Sequence, residues 1–190
     1  MSKKFFAFIA LVVGAFIAGI VFSPFFLGTT YQLKKWVGNI SSPTQVSKVI
    51  TLYFSTPDGQ FLVPVKRRII FDKEQSVNDK VRRVVEELIK GPEKEFLSPT
   101  LPQEAKIRAV YIKEDIIYID FTPSLAKNHP GGTSAELMSV YSIVNTLLEN
   151  FPSYSRVQIL IEGTPHKTLV GHIDIRGPFK KNTEIIKKSM

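Results

Sequence analysis

The chain has 190 residues, 44% of them hydrophobic and 22% charged, which is room for one compact domain beside other segments and too little for two ordinary ones. It has no cysteine, which excludes disulfides, thiolate metal sites, a cysteine nucleophile and lipid attachment at a cysteine. The formal net charge of +8 sits at the ends: Lys3 and Lys4 carry +2, residues 176–190 carry +4, and everything between carries +2. With no basic helix interleaved with stacking aromatics, that distribution argues against nucleic acid as a partner.

Lys3 and Lys4 precede an uncharged run from Phe5 to Leu27, long enough at about 1.5 Å per helical residue to cross a hydrocarbon layer of about 30 Å. Its exit, Phe25-Phe26-Leu27-Gly28, lacks the small-residue cleavage site of a secretory signal, so the run reads as a retained transmembrane anchor. A two-lysine stub stays inside more readily than a large domain does, which predicts a single-pass protein of the cytoplasmic membrane with its domain on the extracytoplasmic side. Ala10, Gly14 and Ala18 share one face, a spacing that allows helix pairing in the bilayer. The expected divisions are a cytoplasmic stub (1–4), an anchor (5–27), a polar linker (28–47), a folded domain (48–179) and a basic tail (180–190).

Val49 to Ser55 and Phe61 to Phe71 read as paired strands around Pro57-Asp58-Gly59, with Pro64 marking an edge or a bulge. Val77, Val81, Val84, Val85, Leu88 and Ile89 recur at helical spacing, capped by Ser76 and stopped by Gly91-Pro92. Ile107 to Lys113 and Ile116 to Phe121 form a hairpin across Glu114-Asp115. A second helix follows, with an apolar stripe from Leu137 to Phe151 and Thr133 with Glu136 as a capping box. Val157 to Glu162 is a further strand, and a short extended piece is expected near Leu169 to Ile175. The order strand, strand, helix, strand, strand, helix, strand predicts an α+β two-layer sandwich, both helices on one face of a mixed sheet and the other face open.

Candidates for chemistry are few. His129, His166 and His172 are the only histidines and lack metal-motif spacing. Asp120 alternates onto the face opposite Ile117, Ile119 and Phe121, as expected of a solvated or loop-bonded aspartate. Glu136 is explained by capping, and Gly131-Gly132 by a flexible lead-in. A hydrolase built on Asp120 and Glu136 has no further polar constellation behind it. The expectation is a non-enzymatic protein without metal or cofactor.

Several blocks carry a family resemblance: Leu52-Tyr53-Phe54, Leu62-Val63-Pro64 with Arg68, Leu88 to Pro92, Leu101-Pro102, Ile117 to Phe121, Glu136 followed by Ile143 to Leu147, Phe151-Pro152, Val157 to Gly163, and Gly171 to Phe179. In this order and spacing they resemble the GerMN domain of sporulation and spore germination proteins, in a single copy over about Ile50 to Asn182. The resemblance implies a small α/β domain, similar to ring-building modules, that sits outside the cytoplasmic membrane and works through protein contacts. It marks Pro64, Arg68, Gly91, Pro92, Asp120, Glu136, Thr146 and Gly163 as family positions with structural or interaction roles. The implied partners are other envelope proteins or copies of the chain itself, in sporulation, germination or envelope assembly. The alternative is a peptidoglycan-binding module using the basic tail and exposed Tyr53, Tyr111, Tyr118 or Tyr154.

Overall fold

The computed structural model describes residues 45–187. The expected stub, the anchor 5–27, linker residues 28–44 and the last three positions of the tail lie outside the described residues. Among the described residues no helix is long and apolar enough to cross a membrane.

Strand β1 (Gln45–Ser55) pairs antiparallel with β2 (Leu62–Asp72), with Tyr53 opposite Pro64 and Ile50 opposite Arg67. Its start at Gln45 lies ahead of the expected Val49. Helix α1 (Val77–Ile89) begins where Ser76 Oγ accepts from Asp79 N at 3.2 Å, and it ends at Gly91, whose φ of 81° only glycine adopts freely. β3 (Ile107–Lys113) and β4 (Ile116–Phe121) form the expected hairpin, Glu114 taking a φ of 54° in its two-residue turn. A four-residue helix, α2 (Ser124–Lys127), follows. Helix α3 (Thr133–Asn150) then leads to β5 (Arg156–Ile161), which pairs parallel with β4.

The fold is α+β, and its strands form two sheets where one was expected: β1–β2, and a mixed sheet in the order β3–β4–β5. The division has a local cause. Thr51 and Tyr53, on the edge of β1 away from β2, bond side chains of α3 instead of another strand. Helices α1 and α3 pack on each other, and each also meets strands of both sheets. One core therefore collects Leu52 and Phe54 from the first sheet, Ile119 and Ile159 from the second, and Val84, Leu88, Val144 and Leu147 from the helices. Full burial of such a side chain stabilises by about 1.5–3 kcal/mol.

Two further expectations are corrected by what the chain does after β5. Phe179 pairs with the edge of β5 through two bonds to Val157 (2.9 and 2.8 Å), and Gln158 Nε2 donates to Ile175 O at 2.8 Å. Gln158 and Leu160 are buried in consequence, so the sheet face expected to be open is partly covered. The tail also belongs to the fold as far as Lys187. Leu62 N donates to Ile185 O at 2.7 Å and Lys187 N to Leu62 O at 2.9 Å, along the outer edge of β2.

Candidate functional site

Helix α3 turns its polar side chains toward the backbone of neighbouring segments. Asn150 Oδ1 accepts from Thr51 N at 3.0 Å while its Nδ2 donates to Thr51 O at 2.7 Å. One turn earlier, Thr146 Oγ1 accepts from Tyr53 N at 3.1 Å. Asn145 makes the same two-way contact with Asn182, accepting at 3.0 Å and donating at 2.8 Å. An amide offers one acceptor and one donor as a peptide group does, so each asparagine stands in for a neighbouring strand. Replacing Asn150 with alanine is expected to destabilise the protein by about 1–2 kcal/mol and to speed amide exchange at Thr51. Urea unfolding and hydrogen exchange measure both.

Glu136 is fully buried and does not cap its helix. Gly132 occupies the cap position without a side-chain bond, its carbonyl accepting from Glu136 N at 3.0 Å. Thr133 therefore lies inside the helix, and Glu136 faces the protein. Its carboxylate accepts from Leu169 N (2.8 Å), Val170 N (3.0 Å) and His172 N (2.8 Å), with His172 Nδ1 at 3.2 Å. Burial pushes its pKa up, but the backbone N–H groups of Val170, His172, Ile173 and Leu169 together outweigh burial and leave it below the ordinary value.

Asp120 is loop-bonded, as one branch of the expectation had it, and not solvated: it is fully buried. Arg108 Nε donates to its Oδ2 at 2.6 Å across the hairpin, and Gly163 N donates to its Oδ1 at 2.9 Å. Gly163 has a φ of 80°, and a Cβ built there would lie 2.5 Å from Arg108 Nη2. Gly163→Ala is expected to cost about 1–2 kcal/mol from the left-handed backbone. The arginine, half exposed, can swing away, but doing so weakens its hold on Asp120. Thermal unfolding of Gly163→Ala, Arg108→Ala and the double variant should therefore give less than additive losses.

The remaining family positions divide in the same way. Pro64 lies on the outer edge of β2, where its missing N–H leaves no ladder bond unmade. Gly91 and Pro92 end α1. Arg68 is exposed, whereas Arg67 beside it, which the family pattern does not single out, has a side chain only 10% exposed that packs against the end of α1. The signal for Arg67 is its alternation with Val63, Val65, Ile69 and Phe71.

His129 pairs with Ser139 (Nε2 to Oγ, 2.8 Å), but its Nδ1 accepts from Gly131 N at 3.0 Å, so Nε2 carries the proton and donates. That tautomer cannot take a proton from the serine. Ser139 Oγ has the carbonyls of Thr100 and Ala135 as acceptors, and the cluster ties two loops to α3. Burial pushes the imidazole below its ordinary value, against the pull of Glu136. His166 is exposed, and among the described residues no group of three or more His, Asp or Glu side chains is placed to hold a metal ion. Asp120 and Glu136 belong to separate clusters, each bonded to its own loop.

Tyr53 is buried, not exposed, and burial followed by Glu149 pushes its hydroxyl up to about 12. Tyr154 packs against the core. Tyr111 and Tyr118 face each other across β3 and β4, with Tyr111 exposed.

These features define an α+β domain whose buried polar groups are spent on holding its own loops and edges. The family model described as sporulation and spore germination (Germane) matches residues 51–167, more than half of the chain, and the chain belongs to that family. Among curated protein sequences none matches. Among solved structures, a Clostridium perfringens protein described as a lipoprotein is 25% identical, with a TM-score of 0.51 over 72% of this chain and 88% of that one. The tandem GerMN domains of the Bacillus subtilis sporulation protein GerM are 22% identical, with a TM-score of 0.56 over 74% of this chain and 48% of that one. The first GerMN domain of GerM alone is 17% identical, with a TM-score of 0.50 over 72% of this chain and 98% of that one. The GerM structures share the fold; the chain spans about half the length of the tandem GerM structure and nearly all of its first domain.

Proposed function

We propose that the chain is a membrane-tethered, extracytoplasmic domain of the bacterial envelope that acts in sporulation, germination or envelope assembly by holding other proteins, and not by turning over a substrate. The observation that carries this reading is the fate of the two buried carboxylates that a catalytic scheme would need. Each carboxylate oxygen of Asp120 and of Glu136 accepts at least one hydrogen bond from the protein's own fold. Family membership supports the sporulation setting, and the uncharged run Phe5 to Leu27 supports the tether.

A cysteine introduced at exposed Glu95 tests the placement: an impermeant thiol reagent should label it in intact cells, and labelling confined to lysed cells would reject the extracytoplasmic assignment. Sedimentation and crosslinking in native membranes test the mode of action. An isolated monomer without any protein neighbour would reject it.

A second reading has one observation in its favour. The facing Tyr111 and Tyr118 present an aromatic pair of the kind that stacks on sugar rings. Retention on purified peptidoglycan that is lost in Tyr111→Ala would favour a glycan-binding module.

A further inference from the structure

The edge of β1 that α3 closes is closed only in part. Ile50, Lys48 and Val46 face β2 in the ladder, whereas Thr51 and Tyr53 turn their backbone groups toward α3. The same alternation turns the N–H and C=O of Ser47 and Val49 to that side. Helix α3 ends at Asn150, and among the described residues nothing bonds these groups. The whole stretch Gln45–Val49 is exposed, including the apolar side chains of Val46 (46%) and Val49 (50%).

A cavity of about 240 Å³ opens beside this edge, walled by Val46, Ile50, Phe71, Val84 and Phe151. Asn150, which closes the edge at Thr51, also lines the cavity, so the two features adjoin. Lys48, Lys73 and Lys80 stand around it against a single carboxylate, Asp72. Among the described residues none of the three lysines is in an ion pair. An unpaired strand edge binds an extended peptide through its backbone, and a pocket beside it selects alternate side chains. Lysines without partners around an apolar floor select a large apolar residue flanked by carboxylates. The free edge of β2 is guarded differently: Pro64 has no N–H, the segment 185–187 holds Leu62, and Lys66 and Arg68 are exposed.

We propose that the open edge at Ser47 and Val49, with the lysine-rimmed cavity beside it, binds an extended acidic segment of a partner protein, one large apolar side chain of which fills the cavity. This rests on the protein-contact reading above and specifies the partner's chemistry. The added strand continues the line that Asn150 closes, and its side chains in phase with Val46, Lys48 and Ile50 face the cavity.

The test uses the full chain in its native membrane, with a photo-crosslinking amino acid at Val46 and, in a separate variant, at Phe96, an exposed position after α1. Peptide sequencing identifies the adducts. The expected result from Val46 is an adduct to another protein, within a segment carrying a large apolar residue flanked by Asp or Glu. Lys48→Glu with Lys80→Glu should reduce its yield at least about tenfold. Adducts to lipid, to glycan, to residues 28–44 of the same chain or to a segment without carboxylates would overturn the proposal, as would a yield untouched by charge reversal. Protein adducts from Phe96 with none from Val46 would overturn it and leave the docking reading standing. Protein adducts from neither position would overturn both.

Discussion

Replacing Glu136 with alanine is expected to destabilise the protein by about 3–5 kcal/mol, because it strips a fully buried charged acceptor from three backbone donors, one of them in the core. Leu169 N, Val170 N and His172 N all end on this one fully buried carboxylate. Leu169 is itself buried, so it cannot turn its amide to solvent without leaving the core. Glu136→Gln keeps the volume and one carbonyl oxygen and should lose less, about 1–2 kcal/mol. The two variants also differ from the parent in acid. The folded pKa of Glu136 lies below its ordinary 4.5, since the backbone N–H groups outweigh the opposing effect of burial. A carboxyl that is harder to protonate folded than unfolded contributes stability that is fully present above the unfolded value and is lost as pH falls through the folded one. Urea unfolding of the full chain followed by far-ultraviolet circular dichroism, from pH 7 down to pH 3, should show this loss in the parent and a shallower acid slope in Glu136→Gln. Equal slopes would contradict the assignment. Amide exchange at Leu169, Val170 and His172 should rise in Glu136→Ala ahead of exchange in β4.

The loop that Glu136 holds marks where the sequence stops being legible. Residues up to Ile161 announce themselves by period: alternation in β1 to β5, helical spacing in α1 and α3, and a cap or stop at Ser76 and Gly91. Residues 164–179 have no period, and their place over β5 is set by single contacts such as Gln158 with Ile175 and Phe179 with Val157. Alternation puts Asp120 on the correct face, but it does not choose between solvent and a loop bond: that is decided by Arg108 across the hairpin and Gly163 after β5. Alternation by itself leaves that sheet face open, and the non-periodic segment covers part of it at Gln158 and Val157.

The division into two sheets was hidden for a related reason. Strand count and strand order are local properties, but whether β1 meets another strand depends on what approaches its edge. Asn150 and Thr146 read in sequence as part of a helix end, since neither breaks the apolar stripe from Leu137 to Phe151. Only their four-residue separation hints at one polar face, and only the packed structure shows that face closing a strand. The half of β1 that α3 does not reach keeps its unbonded groups and its exposed valines. One helix length thus sets both the sheet boundary and the site proposed for a partner.

Arg67 tests whether burial or the family pattern identifies the arginine that matters in β2. Arg67→Ala is expected to cost about 3–4 kcal/mol, and Arg68→Ala, at the exposed neighbouring position, to stay within about 0.5 kcal/mol of the parent. The Arg67 guanidinium donates through Nη1 to Glu87 O at 2.8 Å and through Nη2 to Gly91 O at 2.8 Å, carbonyls at the end of α1. It also meets the buried Glu87 carboxylate at 3.3 Å and lies over the Phe54 ring, 5.9 Å from its centroid. Its Nε approaches the exposed Glu93 to 3.1 Å without the alignment of a hydrogen bond. A cation at a helix C-terminus satisfies carbonyls that the helix leaves over and opposes the negative end of its dipole. Truncation removes all of this at once. Glu87 keeps Lys90 at 2.6 Å and Arg83 at 3.6 Å, which is why the loss should fall short of that for an unpaired buried charge. Arg67→Lys retains the charge but not the two-armed fork that reaches Glu87 O and Gly91 O together, so it should recover less than half of the stability. Thermal unfolding of the three variants measures the order. Equal effects of Arg67→Ala and Arg68→Ala would show that the end of α1 is held by Gly91 and the core alone.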